Sequence, residues 1–173
     1  PYTTLFRSAG IIAPTDGVSY KNFVMKNCHM DKASAGDDAT IHLYGTCENF
    51  VFEGNKFYMS TYRGIRFENI CTNLSVINNE FTTSGTMYDY VRDMGKAGGE
   101  FIFEGNSFDF SNQSGVQIAN PIDGAHFRFV NNTFKDMSDT SIDIRELSGT
   151  FETGVTIEIL HNTFDGGAND WGT

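Results

Sequence analysis

Residues 101–108 read FIFEGNSF and residues 127–134 read FRFVNNTF, and the two stretches share one pattern. Written generally, this pattern is apolar-x-apolar-x-x-Asn-x-Phe, which alternates like a strand up to the Asn. Its sixth position runs from Cys28 to Asn162, 134 residues in five steps or about 27 per step, a period typical of one solenoid coil. The six copies are FVMKNCHM (23–30), FVFEGNKF (50–57), LSVINNEF (74–81), FIFEGNSF (101–108), FRFVNNTF (127–134) and IEILHNTF (157–164).

A second, shorter strand is predicted about ten residues after each repeat Asn. Strict alternation within these triplets directs the outer two side chains to one face and the middle one to the other. We expect the outer residues to point inward and the polar middle residue to point outward. The triplets are Ile41-His42-Leu43, Ile65-Arg66-Phe67, Tyr88-Asp89-Tyr90 (its register open by one or two residues), Val116-Gln117-Ile118 and Ile142-Asp143-Ile144.

The repeat also predicts a sharp turn and a stack of Asn side chains. The residue before the repeat Asn is Asn, Gly or His, which are the types enriched at left-handed backbone positions. The Asn itself can hydrogen-bond to the turn and to the Asn of the next coil, which satisfies buried polar groups. The predicted left-handed residues are Asn27, Gly54, Asn78, Gly105, Asn131 and His161, and the predicted ladder is Asn55, Asn79, Asn106, Asn132 and Asn162 with Cys28 at its start.

Stacked coils bring equivalent apolar side chains over one another at a spacing of about 4.8 Å. Three interior columns are therefore predicted to dominate stability, because each buried aromatic side chain contributes about 1.5–3 kcal/mol of transfer free energy. The columns are Met30 with Phe57, Phe81, Phe108, Phe134 and Phe164; Met25, Phe52, Val76, Phe103, Phe129 and Ile159; and Phe23, Phe50, Leu74, Phe101, Phe127 and Ile157.

These features resemble the repeat of the pectate-lyase-like superfamily, in which G-I-x-I is followed by apolar-x-apolar-x-x-N-x-F. Here GIRF (64–67) with FIFEGNSF and GVQI (115–118) with FRFVNNTF carry the resemblance, which covers residues 17–165. It implies an all-β fold, a right-handed parallel β-helix of about five to six coils with three short strands each. The same repeat serves lyases, hydrolases, epimerases, phage spikes and adhesins, so it implies fold more strongly than function.

Composition excludes several classes of function. The chain has 12 Lys and Arg against 22 Asp and Glu, a net charge of −10, with no basic cluster to neutralise nucleic-acid phosphates. No apolar stretch approaches the roughly 18 residues of a membrane span. We therefore expect neither a nucleic-acid partner nor a membrane span.

The two ends of the chain suggest a fragment. Residues 1–8, PYTTLFRS, are what the end of a common short-read sequencing adapter encodes, so we expect them not to belong to the protein. Residues 9–173 are then predicted to form a single β-helix domain truncated at both ends. Neighbouring coils or domains of the intact protein would be its partners.

Polar residues at the middle of the short strands predict one outward column: His42, Arg66, Asp89, Gln117 and Asp143. In the enzymes that the repeat resembles, this face binds substrate. Five polar side chains about 4.8 Å apart roughly match the repeat of a stretched glycan. The predicted substrate-binding residues are His42, Tyr44, Tyr88, Arg92, Gln117 and Arg145.

The predicted catalytic residues are Arg66, Asp89 and Asp143. A lyase of this fold uses an Arg or Lys base and often calcium to neutralise a uronate carboxylate, and an Arg flanked by acids suits an acidic sugar. A hydrolase needs carboxylates that converge on one bond; Asp89 and Asp143 are two coils apart and not direct neighbours, although about two coil spacings fall near the range of an inverting pair. We place a lyase ahead of a hydrolase, with catalysis itself left open.

No metal ligand set is assigned. Calcium is kept as one option for a lyase, and the oxygen-rich tail at residues 165–170 matches no calcium-loop spacing. Cys47 and Cys71 each lie eight residues before their repeat Asn and should stack, either as a disulfide or as free thiols.

The sequence thus predicts an extracellular or cell-surface protein that binds or depolymerises a polysaccharide. The alternative is a non-catalytic stalk that extends and presents other domains. A cluster of convergent carboxylates or cations in one groove would favour the enzyme.

Overall fold

A computed structural model of the chain describes residues 5–7, 11–13, 17–33, 39–59, 63–83, 87–93, 95–147 and 153–166. These ranges contain strands in three parallel sheets and no helix. Apart from the two short strands at residues 19–21 and 24–26, which share one sheet, successive strands belong to different sheets, so the coils contribute strands to all three sheets. The prediction of an all-β parallel solenoid with three strands per coil is confirmed.

Sheet I contains β2 (Ile11–Ala13), β6 (Ala39–Leu43), β9 (Arg63–Phe67), β12 (Asp89–Asp93), β15 (Ser114–Ala119) and β18 (Thr140–Arg145). Sheet II contains β3 (Ser19–Lys21), β4 (Val24–Lys26), β7 (Thr46–Glu53), β10 (Cys71–Ile77), β13 (Ala97–Glu104), β16 (His126–Val130) and β19 (Thr156–Leu160). Sheet III contains β1 (Leu5–Arg7), β5 (His29–Ala33), β8 (Lys56–Met59), β11 (Glu80–Thr83), β14 (Ser107–Ser111), β17 (Thr133–Met137) and β20 (Thr163–Gly166). The division of the chain at residue 8 stays a prediction.

The predicted interior columns form. The Phe57 and Phe81 rings stack with centroids 4.8 Å apart, and Phe81 with Phe108 and Phe108 with Phe134 continue at 4.9 and 4.8 Å. These separations equal the rise of one coil, so the rings stack because the backbone stacks. Phe164 extends the column at 5.4 Å and is half exposed, since no described coil covers it.

Each predicted left-handed residue has a positive φ, between 52° and 65°. The chain turns there from sheet II into sheet III, and the ladder Asn follows directly. Asn79 is a representative rung: its Nδ2 donates to the Phe52 carbonyl and to Asn106 Oδ1, and its Oδ1 accepts from the Asn55 backbone N–H. The asparagine ladder is therefore confirmed, with the backbone N–H of Cys28 donating to Asn55 Oδ1 at its first position.

Cys47 and Cys71 lie opposite each other in β7 and β10, as predicted. Both are buried free thiols, and Cys28 is a partly exposed one. Burial raises the pKa of Cys47 to about 12 and raises that of Cys71 as well. Of the two alternatives for this pair, the structure has the thiols.

Candidate functional site

The outward face of sheet I carries one column of polar side chains, one from each of β6, β9, β12, β15 and β18. His42 is paired in register with Arg66, and Arg66 with Arg92. Gln117 and Asp143 continue the column on the next two strands. Four of the five predicted members are confirmed, and Arg92 stands where Asp89 was expected.

The prediction that Asp89 lies in this column is wrong. Residues 91–93 occupy the strand positions that we assigned to residues 88–90. Val91 follows Asn79 by twelve residues, whereas the equivalent strand residue follows its ladder Asn by ten in the neighbouring coils. Because this coil has two extra residues, Asp89 is the first residue of β12 and lies outside the column.

At the start of β12, Asp89 is paired in register with Arg63, and its side chain is fully buried. Its Oδ2 accepts a hydrogen bond from Arg92 Nη1 at 2.9 Å and lies 3.6 Å from Arg63 Nε. Burial raises the pKa of Asp89, and the guanidinium groups of Arg92 and Arg63 oppose that effect. Asp89 therefore fixes two arginines on neighbouring coils.

Arg63 is a residue of the face that the sequence reasoning missed. Its guanidinium carbon lies 6.0 Å from the centroid of the Tyr88 ring, within the range of a cation–π contact. The sequence could have indicated Arg63 through its position, because Arg63 and Arg66 flank Gly64-Ile65 at the start of β9. Tyr88, Arg63, Asp89 and Arg92 thus form one contact network, which includes the predicted Tyr88 and Arg92.

A second carboxylate, Glu68, connects two members of the column. Its Oε1 lies 2.7 Å from His42 Nε2 and 2.6 Å from Arg66 Nε. The His42 ring is almost completely buried and stacks on Tyr44 with centroids 4.0 Å apart. Tyr44 therefore covers the imidazole from the side, as a flanking residue of the face.

Gln117 and Asp143, the last two residues of the polar column, form a separate group with Arg145. Gln117 Nε2 donates to Asp143 Oδ2 at 3.0 Å, and Arg145 Nε donates to Asp143 Oδ1 at 3.0 Å. The Arg145 side chain is about half exposed and that of Asp143 is 12% exposed. Asp143 is thus held by an amide from one coil and a guanidinium from its own.

The arrangement presents cations rather than paired acids. Arg63, Arg66 and Arg92 have 17%, 18% and 16% of their side chains exposed, so each is held in place yet accessible. Asp89 and Asp143 lie two coils apart in different columns, and each contacts a guanidinium group. Asp89 is moreover fully buried, whereas glycoside hydrolysis requires two carboxylates that flank the scissile bond. The catalytic assignments of Arg66, Asp89 and Asp143 stay predictions.

A calcium site does not fit the described residues of this face. Calcium takes six to eight oxygen ligands. Within the described ranges there is no group of three or more His, Cys, Asp or Glu side chains placed to hold a metal ion. Asp89 and Glu68 already contact arginines. Residues 167–170 of the acidic tail lie outside the described residues.

Comparison with known proteins bears on the fold. A family described as the right-handed beta helix region matches residues 15–170, most of the chain. No curated protein and no solved structure matches it. In the part of the chain that the structure describes, no helix has the length and apolar character of a membrane span. With its three parallel sheets and its stacked Asn rungs, the chain belongs to the right-handed β-helix family.

Proposed function

We propose that the outward face of sheet I binds an acidic polysaccharide, as part of a secreted or cell-surface protein. The observation that carries the proposal is the group of three half-buried arginines, Arg63, Arg66 and Arg92, on two adjacent coils. A chain of net charge −10 repels anionic glycans in general, so a local group of guanidiniums marks where one would bind.

The geometry supports recognition of carboxylates. Arg66 and Arg92 are paired in register, so their backbones lie about one strand spacing, or 4.8 Å, apart on the same face of the sheet. A guanidinium offers a planar fork of donors that matches a carboxylate bidentately. Asp89 and Glu68 hold these arginines before any ligand arrives, so less side-chain entropy is lost on binding.

If the face also cleaves its ligand, elimination fits it better than hydrolysis. Guanidinium groups can neutralise a uronate carboxylate and so favour removal of the neighbouring proton. Arg66 is the residue of the predicted catalytic set that lies among these cations. Asp143 would contribute to binding, because Gln117 and Arg145 already orient its carboxylate.

One observation favours the second candidate, a non-catalytic stalk. Each carboxylate of the face contacts a side chain of a neighbouring coil: Asp89 contacts Arg63, Glu68 contacts His42, and Asp143 contacts Gln117. Such polar contacts join the coils to one another without any ligand. A stalk would keep these contacts and would bind no glycan.

The experiment compares binding of polygalacturonate and of neutral dextran by calorimetry. We expect the wild type to bind polygalacturonate only, and the double variant Arg66→Ala, Arg92→Ala to bind it at least tenfold more weakly. The expectation follows because a charge-assisted hydrogen bond contributes about 1.5–3 kcal/mol and 1.4 kcal/mol is tenfold in affinity. Arg128→Ala is the matched control, because Arg128 pairs with Glu158 on sheet II.

Product analysis separates the alternatives. Absorbance of unsaturated uronates would establish a lyase, and reducing ends without unsaturation would establish a hydrolase. Equal binding by the wild type and the folded double variant would contradict the proposal that this face binds the polysaccharide. If the folded wild type neither binds a glycan nor forms products, the non-catalytic stalk is the candidate that remains.

A further inference from the structure

One interior position of sheet I is occupied by an acid. Asp93 is paired in register with Phe67 and Ile118, and Leu43 continues the same inward column. All three neighbours are buried apolar residues, and Asp93 is 1% exposed. A carboxyl group therefore lies in the core where every neighbouring coil places a hydrocarbon side chain.

The carboxyl group of Asp93 is only half satisfied. Its Oδ1 accepts a hydrogen bond from the Gly95 backbone N–H at 2.9 Å. Its Oδ2 is buried and has no hydrogen-bond partner among the described residues. An unpaired buried carboxylate is far more costly than a neutral acid, because a charge loses its hydration without gaining a counter-ion.

The titratable groups that face Asp93 supply no compensation. Burial is the largest cause that raises the pKa of Asp93; the Gly95 N–H opposes it, and the acidic Glu68, the residue after β9, raises the pKa further. Cys47 of β7 and Cys71 of β10 are the thiols whose own pKa values the Asp93 charge raises. Arg66 and Arg92 belong to the outward column, on the opposite face of sheet I from Asp93.

We propose that Asp93 makes the packing of the central coil, the one that contains β12, depend on a proton. β12 packs tightly when the Asp93 carboxyl group is neutral and loosens when it ionises. Arg92 precedes Asp93 in β12, so loosening this strand displaces an arginine of the glycan face. That link to binding rests on the proposed function. The effect on the stability of the coil does not.

The sign follows from proton linkage. An unfolded Asp titrates near its ordinary value of about 3.9, whereas the folded state holds this proton to higher pH. Between the two pKa values the folded state binds one more proton than the unfolded state. The contribution of Asp93 to stability is therefore full at acidic pH, and it falls as pH rises through that window. Each pH unit in the window multiplies the unfolding equilibrium constant by up to ten.

The test is urea unfolding of the wild type and of Asp93→Asn in a pH series from about pH 4 to pH 9, which begins at the ordinary Asp value and extends in the direction in which burial raises the pKa of Asp93. Asn keeps an oxygen for the Gly95 N–H and has no charge. We expect the ratio of wild-type to variant unfolding constants to rise at least tenfold across this range. Asp139→Asn, at an exposed position, is the matched control and should give a constant ratio.

A constant ratio for Asp93→Asn would overturn the proposal, and so would a ratio that falls with pH. If the Asn variant does not fold, Asp93→Leu, with the side chain of Leu43 in the same column, gives the same comparison. If neither folds, amide exchange of the wild type decides: protection factors in β12 should fall as pH rises while those in β16 stay constant. Because none of these measurements uses a glycan, failure of the glycan proposal leaves the result intact.

Discussion

Replacing Asn79 by Ala tests the asparagine ladder at its centre. The Asn79 side chain is 2% exposed and makes four hydrogen bonds. Two of these bonds are to backbone groups, the Phe52 carbonyl and the Asn55 N–H, at 2.9 Å each. The other two join Asn79 to the side chains of Asn55 and Asn106.

The side-chain partners keep other hydrogen bonds, because Asn55 Nδ2 also donates to the Met25 carbonyl and Asn106 Oδ1 also accepts from the Asn79 N–H. The loss therefore falls mainly on the two backbone groups. Leaving a buried donor or acceptor without its partner costs about 1–3 kcal/mol. We expect Asn79→Ala to lower the free energy of unfolding by about 2–6 kcal/mol. A loss of about 4 kcal/mol lowers Tm by roughly 8–16 °C in a chain of this size.

The assay is thermal unfolding followed by circular dichroism, with urea unfolding for the free energy. Asn112→Ala is the control, because Asn112 is exposed and substitutions at such positions change stability by about 0.5 kcal/mol or less. An Asn79→Ala variant within about 0.5 kcal/mol of the wild type would refute the reasoning, because it would mean that the ladder bonds contribute nothing net.

Two further predictions concern the core. A Cβ at Gly64 would overlap the carbonyl oxygen of Tyr90, so Gly64→Ala should lower the free energy of unfolding by about 3 kcal/mol, measured in urea. An unchanged urea midpoint would contradict the close approach of these two coils. The buried thiols of Cys47 and Cys71, with raised pKa values, should resist iodoacetamide at pH 8 until the chain unfolds, whereas partly exposed Cys28 reacts in the native state. Mass spectrometry that finds native modification of all three would contradict the burial.

Most of the fold was predictable because the repeat specifies backbone and side chain together. Asn78 and Gly105 precede ladder residues and have φ values of 53° and 65°, so a residue that tolerates the left-handed conformation marks the bend in each of these coils. Phe81 and Phe108 follow by the same offset and stack. The turn residue, the ladder Asn and the core Phe each predict the same register, so six copies of the repeat were enough to predict the fold.

The site was less predictable because the central coil departs from alternation. Tyr90 packs inward against Phe81 and Phe108 at the corner, and Asp93 occupies an apolar position. A search for apolar-polar-apolar triplets therefore selected residues 88–90. Asp89 makes buried contacts with two arginines, and the sequence pattern assigns it to the wrong column; its role in the site stays a prediction.

The asparagine ladder also has a direction. In every described rung the Nδ2 of the earlier coil donates to the Oδ1 of the later one, from Asn55 through Asn79, Asn106 and Asn132 to Asn162. The side-chain amide dipoles therefore align in parallel along the solenoid axis, and neighbouring hydrogen bonds polarise one another. One end of such a row accepts hydrogen bonds and the opposite end donates them. At the early end the Asn55 Oδ1 already accepts the Cys28 N–H, so the row can be extended only at Asn162, by a coil that places an acceptor against its Nδ2.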